Sequence, residues 1–185
     1  GRFCLGDKLV LAVAEEATVS STTGTIRFDK DGRHRLRAER EKGSRVEVLF
    51  PCTRDELAGI VAKVPLLIPP FRTTFNGEVR EHHPCTCLIE FEATLDTVLP
   101  DEESILRHRP RKTKVQVYED EVGWLYELGI PVVETGDTYS YNVLQKVPLS
   151  LDRDNVPPRY LRTLRVFAFN ALHEKTTSED CNSTW

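Results

Sequence analysis

The residues with the clearest chemical potential lie between Tyr139 and Arg165. A strand over Tyr139–Val147 runs into Gln145-Lys146, and a charged loop, Asp152-Arg153-Asp154-Asn155, follows. An amide and an ammonium at the end of a strand, then an Arg between two acids, suit contact with an anion. The plain structural alternative is a set of surface ion pairs worth roughly 0–1 kcal/mol each. Asp152 and Asp154 flank Arg153 closely enough that an ion pair within the loop outweighs a catalytic carboxylate pair. A second anion-type motif opens the chain. Gly1-Arg2-Phe3-Cys4-Leu5-Gly6-Asp7-Lys8 reads as a Gly-rich turn entering a helix, which presents free backbone amides to phosphate. A turn with no ligand is the competing reading.

Two further constellations are weaker. His82-His83-Pro84-Cys85-Thr86-Cys87 gathers ligand types suited to Zn²⁺, but at a spacing unlike a standard finger. Core-facing thiols after a His loop account for it better. Ser20, Ser21, Ser140 and Ser150 lack the strand-turn-helix setting of a nucleophile. His108 and His173 sit in charged or terminal segments, so no Ser-His-Asp arrangement emerges.

These groups need elements to hold them. The first part of the chain reads as a buried apolar helix over Lys8–Glu16 and a Ser/Thr-rich loop at Thr18–Thr23. Strands follow at Gly24–Phe28 and Arg33–Arg40 about an Asp31-Gly32 turn, then at Gly43–Phe50. Thr53-Arg54-Asp55-Glu56 has the form of a capping box. It introduces a helix that carries Leu57, Ile60, Val61 and Val64 at helical spacing. Pro65–Pro70 is the expected domain boundary.

Beyond it, Asn76-Gly77 marks a hairpin between Phe71–Phe75 and Glu78–Arg80, and Cys85–Leu95 alternates as a strand. Pro100–Pro110 reads as a loop, Lys112–Tyr118 as a strand, Glu121–Leu128 as a short helix and Ile130–Glu134 as a strand. The final helix spans Val156–His173, with a buried stripe of Leu161, Leu164, Ala168, Ala171 and Leu172. The fold class is α+β. Its units are residues 1–65, residues 66–175 and a polar tail over 176–185.

Composition agrees with a globular chain: 185 residues, 39% hydrophobic, 29% charged and a net charge of −4. That balance argues against nucleic-acid binding by bulk electrostatics. No apolar run is long enough to read as a membrane span. Five Cys at irregular spacing predict reduced thiols and a cytoplasmic setting. The chain contains no Met, which suggests a processed product or a cut fragment.

The order of the pieces resembles the C-terminal part of the Bergerat-fold (GHKL) ATPases, the superfamily of gyrase, heat-shock chaperones, histidine kinases and MutL. Gly1, Phe3, Gly6 and Lys8 match the second glycine box of that family, G-x-F-G-x-G-x-K, with Cys4 in place of a Gly. Gly43-Ser44 before Val46 is similar to its later Gly-Thr box. Gly129-Ile130, Tyr141-Asn142-Val143 and Leu151-Asp152-Arg153-Asp154 resemble the second domain of phage and bacterial rIIA-like ATP-binding proteins.

The resemblance implies that residues 1–65 are part of a nucleotide-binding α/β sandwich. Residues 66–175 would be a ribosomal-protein-like transducer domain. Gly1, Gly6 and Lys8 would be a residual phosphate loop, and Gln145 and Lys146 would correspond to the Gln-Thr-Lys loop that reaches the γ-phosphate. Lys146 would be the catalytic residue that stabilises developing charge, with Arg153 and Asp154 in support. The cofactors would be ATP and Mg²⁺. The Glu, Asn and D-x-G-x-G residues of the family have no match in this chain. The expectation is therefore a fragment that is inactive alone and is partnered by the N-terminal half of its nucleotide domain. Without that half, the apolar Val10–Ala14 helix loses its packing partners, and a homodimer becomes an option.

The competing function is a non-enzymatic interaction module. It would use the Arg33, Arg35 and Arg37 face or a free sheet edge. A nucleic acid is one partner such a face leaves open, although a solvated sheet surface explains it as well.

Overall fold

The computed structural model of the protein describes residues 6–80, 87–101, 105–150 and 155–174, without the side chains of residues 6–9. The chain divides into two compact units, Gly1–Ala62 and Lys63–Trp185. Helices and strands occur in both, so the α+β class holds.

In the first unit, α1 (Gly6–Val13) precedes β1 (Glu16–Ser21), β2 (Gly24–Asp29), β3 (Gly32–Leu36) and β4 (Arg45–Leu49), and α2 (Arg54–Lys63) follows. The four strands form an antiparallel sheet in the order β3-β2-β1-β4. The Ser/Thr loop expected at Thr18–Thr23 is therefore mostly strand. Its Thr and Val side chains suit extended backbone. Pairing on both edges, with Val19 opposite Ile26 and Val46, makes β1 a central strand.

The burial expected for the first helix is overturned, because Val10 and Val13 are 45% and 52% exposed. Among the described residues of this unit only Ala17 and Thr25 are fully buried. Every residue of β4 is exposed, and α2 buries none of its side chains. The capping box of α2 is present. The Glu56 amide donates to Thr53 Oγ1 at 3.2 Å, and the Thr53 amide donates to Glu56 Oε2 at 2.7 Å.

The second unit begins with a 3₁₀ turn, Val64–Leu66. A small hairpin follows, β5 (Thr73–Phe75) and β6 (Glu78–Arg80), turning at Asn76 (φ 50°) and Gly77 (φ 86°). Its main sheet contains β7 (Ile89–Pro100), β8 (Leu106–Glu119), β9 (Trp124–Glu127), β10 (Ile130–Glu134) and β11 (Tyr139–Val143). The order is β10-β9-β11-β8-β7, antiparallel except for the β11–β9 pair. α3 (Pro158–Leu172) packs on β7.

Val115, Val117, Leu125, Tyr141 and Val143 from the strands meet Tyr160, Leu164, Ala168 and Leu172 of α3 in one core. The predicted stripe is right at Leu164, Ala168 and Leu172. Tyr160 takes the fourth buried place, while Leu161 and Ala171 are half-buried.

Three expectations fail here. The loop predicted over Pro100–Pro110 is, from Leu106 onward, the start of a fourteen-residue β8. Pairing with β7 across the whole run overrides its charge and its proline. The helix predicted at Glu121–Leu128 is instead β9, and Leu128 is 50% exposed. Leu128 (φ 54°) and Gly129 (φ 83°) form a two-residue turn into β10, and a Cβ on Gly129 would collide with the Ile68 carbonyl oxygen. Finally, β11 ends at Val143, four residues earlier than expected. Arg165 grips the buried Asp137 with Nε at 3.0 Å and an η-nitrogen at 2.9 Å, which ties α3 to the segment before β11.

A candidate anion site at the end of the fifth sheet strand

The last rung between β11 and β8 is the Leu144 amide donating to the Lys114 carbonyl at 3.0 Å. Beyond it β8 runs on, paired with β7 alone among the described residues. Pro110, with no amide hydrogen, falls on this stretch and suits an edge that carries no partner. The chain after β11 turns across toward β7. Gln145 Nε2 donates to the Leu95 carbonyl at 3.1 Å, and Thr97 Oγ1 donates to the Lys146 carbonyl at 2.8 Å. The Val147 amide donates to Glu127 at 2.6 Å. Three consecutive residues are thus fixed to the sheet, and Lys146 is held by its backbone with its side chain half-exposed.

This crossing leaves a cavity of about 540 Å³, with Lys146, Gln145, Arg111, Lys112, Lys114 and Glu92 among its lining. The strand register sorts these charges. Cross-strand partners share a face of the ladder. On one face Lys114 stands opposite Glu92 and Lys112 opposite Thr94. Lys114 bonds Glu90 at 2.7 Å and Lys112 bonds Glu92 at 2.6 Å. Gln116 also donates to Glu90, and the hydrogen bond from Lys114, then that from Gln116, holds this carboxyl below the usual range. The same contact with Glu90 raises the Lys114 ammonium.

On the other face Arg111 stands opposite Leu95, Arg109 opposite Thr97 and Thr113 opposite Ala93. No acid lies across from either Arg, and neither Arg111 nor Lys146 has an acidic partner among the described residues. Thr97, which anchors Lys146, belongs to this second face. The arrangement offers a guanidinium fork and an ammonium beside leucine walls from Leu99, Leu128 and Leu144.

Lys146 therefore has a setting that an anion contact requires. Gln145, expected to bind beside Lys146, lines the same cavity. It is buried, its amide hydrogen is given to β7, and it positions its neighbour. Its Oε1 is buried with no partner among the described residues.

Gly6 is the first residue of α1. Gly1, the Lys8 side chain, Arg153 and Asp154 lie outside the described residues, as do His82, His83 and Cys85. Cys87 is half-buried, and its thiol donates to the Ile89 carbonyl at 3.0 Å. No group of three metal-ligating side chains stands together among the described residues. No helix there is long and apolar enough to cross a membrane.

Arg111, Lys112, Lys114 and Glu92 are the site residues that sequence reasoning missed. The signal was the run Arg107-His108-Arg109-Pro110-Arg111-Lys112-Thr113-Lys114, which the loop assignment cut in two. Comparison of the chain with protein-family models, with curated proteins and with solved structures finds no match.

Proposed function

We propose that the chain is part of a Bergerat-type ATP-binding protein in which nucleotide binding drives domain movement, and that Lys146 meets the terminal phosphate. The observation that carries this reading is the placement of Lys146. Its backbone is pinned to β7, its ammonium lacks an acidic partner among the described residues, and it borders a cavity lined by further cations. Such a side chain binds an anion without first breaking an ion pair. Fixed in place, it stabilises charge that grows on a phosphate oxygen without reorganising at the moment of reaction.

The residues of this cavity fit a phosphate group. The Mg²⁺ of such a protein would arrive with the nucleotide and offset charge on its phosphates. Gly1, Gly6 and Lys8 belong to this proposal as a residual phosphate loop, with Arg153 and Asp154 as support.

The test is ATP turnover by the full protein that carries this chain, with Lys146→Ala as the variant. The expected result is a fall in kcat of about 100-fold or more, with KM changed far less. Turnover equal in both proteins, or no turnover and no ATP binding in either, would overturn the proposal.

One observation favours the second reading, a non-enzymatic interaction module. The first unit exposes Val46, Leu49, Phe50, Leu57 and Ile60, each at least 44% accessible, so large apolar side chains on both faces of β4 and on α2 are available to a protein contact. A homodimer would be one use of it.

A further inference from the structure

The same cavity supports a more specific assignment, which rests on the phosphate reading of Lys146 and adds to it. We propose that Arg111 and Lys146 form a two-cation clamp that binds an oligophosphate chain by itself, with no contribution from a base or sugar.

The argument begins with the ladder. Five cations lie between Arg107 and Lys114, and three are engaged: Arg107 with Asp101, Lys112 with Glu92 and Lys114 with Glu90. Arg109 and Arg111 remain, on the face where β7 offers only Thr97 and Leu95 opposite them. Of these two, Arg111 lines the cavity. Lys146 reaches the same cavity from the segment that Thr97 and Leu95 tie down.

A guanidinium offers two parallel donors to two oxygens of one phosphate, and an ammonium offers a point charge to the next. The cavity, about 540 Å³, has room for several linked phosphates. Its boundary also carries one engaged pair, Lys112 with Glu92, whose carboxylate disfavours anions that crowd that wall. Gln145 adds an observation of a separate kind. Its Oε1 is buried and lacks a partner among the described residues, in a residue that lines the cavity. Closed off in this way and bonded to the Leu95 carbonyl, the side chain holds the Lys146 segment in place beside the cavity.

The arrangement thus assigns Arg111 a direct contact with ligand and Gln145 the positioning of Lys146. Substrate chemistry at this site is that of a phosphate chain, whether free or part of a nucleotide.

The experiment is calorimetric titration of this chain with sodium tripolyphosphate, then with ATP and with sulfate. The variants are Arg111→Ala, Arg111→Lys, Lys146→Ala and, as a control that does not line the cavity, Arg45→Ala. The clamp predicts that tripolyphosphate binds and that Arg111→Ala and Lys146→Ala each weaken it about tenfold or more. Arg111→Lys should recover only part of that loss, and Arg45→Ala should have no effect. ATP should bind as tightly as tripolyphosphate, and sulfate, a single anionic group that cannot span both cations, more weakly than either.

Arg111 and Lys146 are at least partly exposed, so their variants should fold, which circular dichroism checks. Tripolyphosphate that fails to bind the parent chain, or binds every variant equally, overturns the clamp. If ATP turnover in the full protein still depends on Lys146 in that case, the phosphate-contact reading survives and only the clamp falls. If the clamp binds tripolyphosphate but turnover ignores Lys146, the clamp stands and the ATPase reading falls.

Discussion

The two units build regular structure by different means. In the second, a sheet and a helix share one core, in which Val115, Val117, Leu125, Tyr141, Val143, Leu164, Ala168 and Leu172 are all essentially inaccessible. In the first, a comparable number of strands and two helices bury almost nothing completely, and large apolar side chains on β4 and α2 face outward. Hydrogen-bonded ladders and a helix cap can define a fold. Burial of apolar area is what makes it resistant to unfolding. The second unit is thus suited to hold a charged side chain in a fixed place. The first has apolar surface available for a contact of its own.

The comparison is broken most directly at Asp137. Its carboxylate is buried and takes two hydrogen bonds from Arg165, so Asp137→Ala leaves a partly buried cation unmatched. The expected loss is about 3–5 kcal/mol in urea unfolding followed by tryptophan fluorescence. A loss below about 1 kcal/mol would place the pair among ordinary surface bridges. Leu164→Ala follows. It opens a cavity in the core and should reduce stability by about 2–5 kcal/mol. The matched change in the first unit is Ile60→Ala. That side chain is 53% exposed, and the change should stay within about 0.5 kcal/mol. Equal effects from Leu164 and Ile60 would erase the contrast.

Alkaline pH sharpens it. All five tyrosines lie in the second unit, and burial pushes Tyr118 and Tyr126 up to about 12. Burial likewise raises Tyr141 and Tyr160. An unfolded tyrosine ionises near 10, so above that pH the unfolded state binds fewer protons than the folded one. Stability is then complete below about pH 10 and falls as pH rises toward 12, by about 1 kcal/mol for each of Tyr118 and Tyr126 after allowance for partial solvation. The check is unfolding free energy against pH, with tyrosinate absorbance as the parallel signal. Tyr118→Phe should flatten the slope, and an unchanged slope would show that this phenol is not the group responsible.

What the sequence revealed follows the same division. Local signals were legible wherever a few adjacent residues decide the geometry: the Thr53–Glu56 box, the Asn76-Gly77 turn, and the proline that opens α3. Non-local pairing was not. Thr18–Thr23 became strand because two neighbours pair with it, and Leu106–Pro110 because β7 lies alongside. Neither partner is visible in the segment itself. Trp124-Leu125-Tyr126-Glu127 is too short for its period to separate strand from helix, and parallel pairing with β11 settles it. The site shows the same limit. Lys146 stood out by its position after a strand, whereas Arg111 acquires meaning only from the register that sets Leu95 rather than an acid across from it.

A local effect tests the first unit by its own means. Thr53 accepts a hydrogen bond from the Glu56 amide, and Glu56 receives bonds from both the Thr53 amide and its hydroxyl. The bond from the Thr53 backbone, then that from its hydroxyl, holds the Glu56 carboxyl below its usual range. Thr53→Ala removes the hydroxyl and keeps the backbone, so the loss should be about 1 kcal/mol. Because α2 buries no side chain, that loss has no packing term to absorb it. It should appear as about fivefold faster hydrogen exchange along the α2 amides. Lowering pH through the Glu56 titration should produce a related increase in the parent chain, since a group with a depressed folded pKa contributes stability above its unfolded pKa and loses it as pH falls. Unchanged exchange in Thr53→Ala would mean that α2 is held by apolar contact after all, and the contrast between the two units would have to be drawn elsewhere.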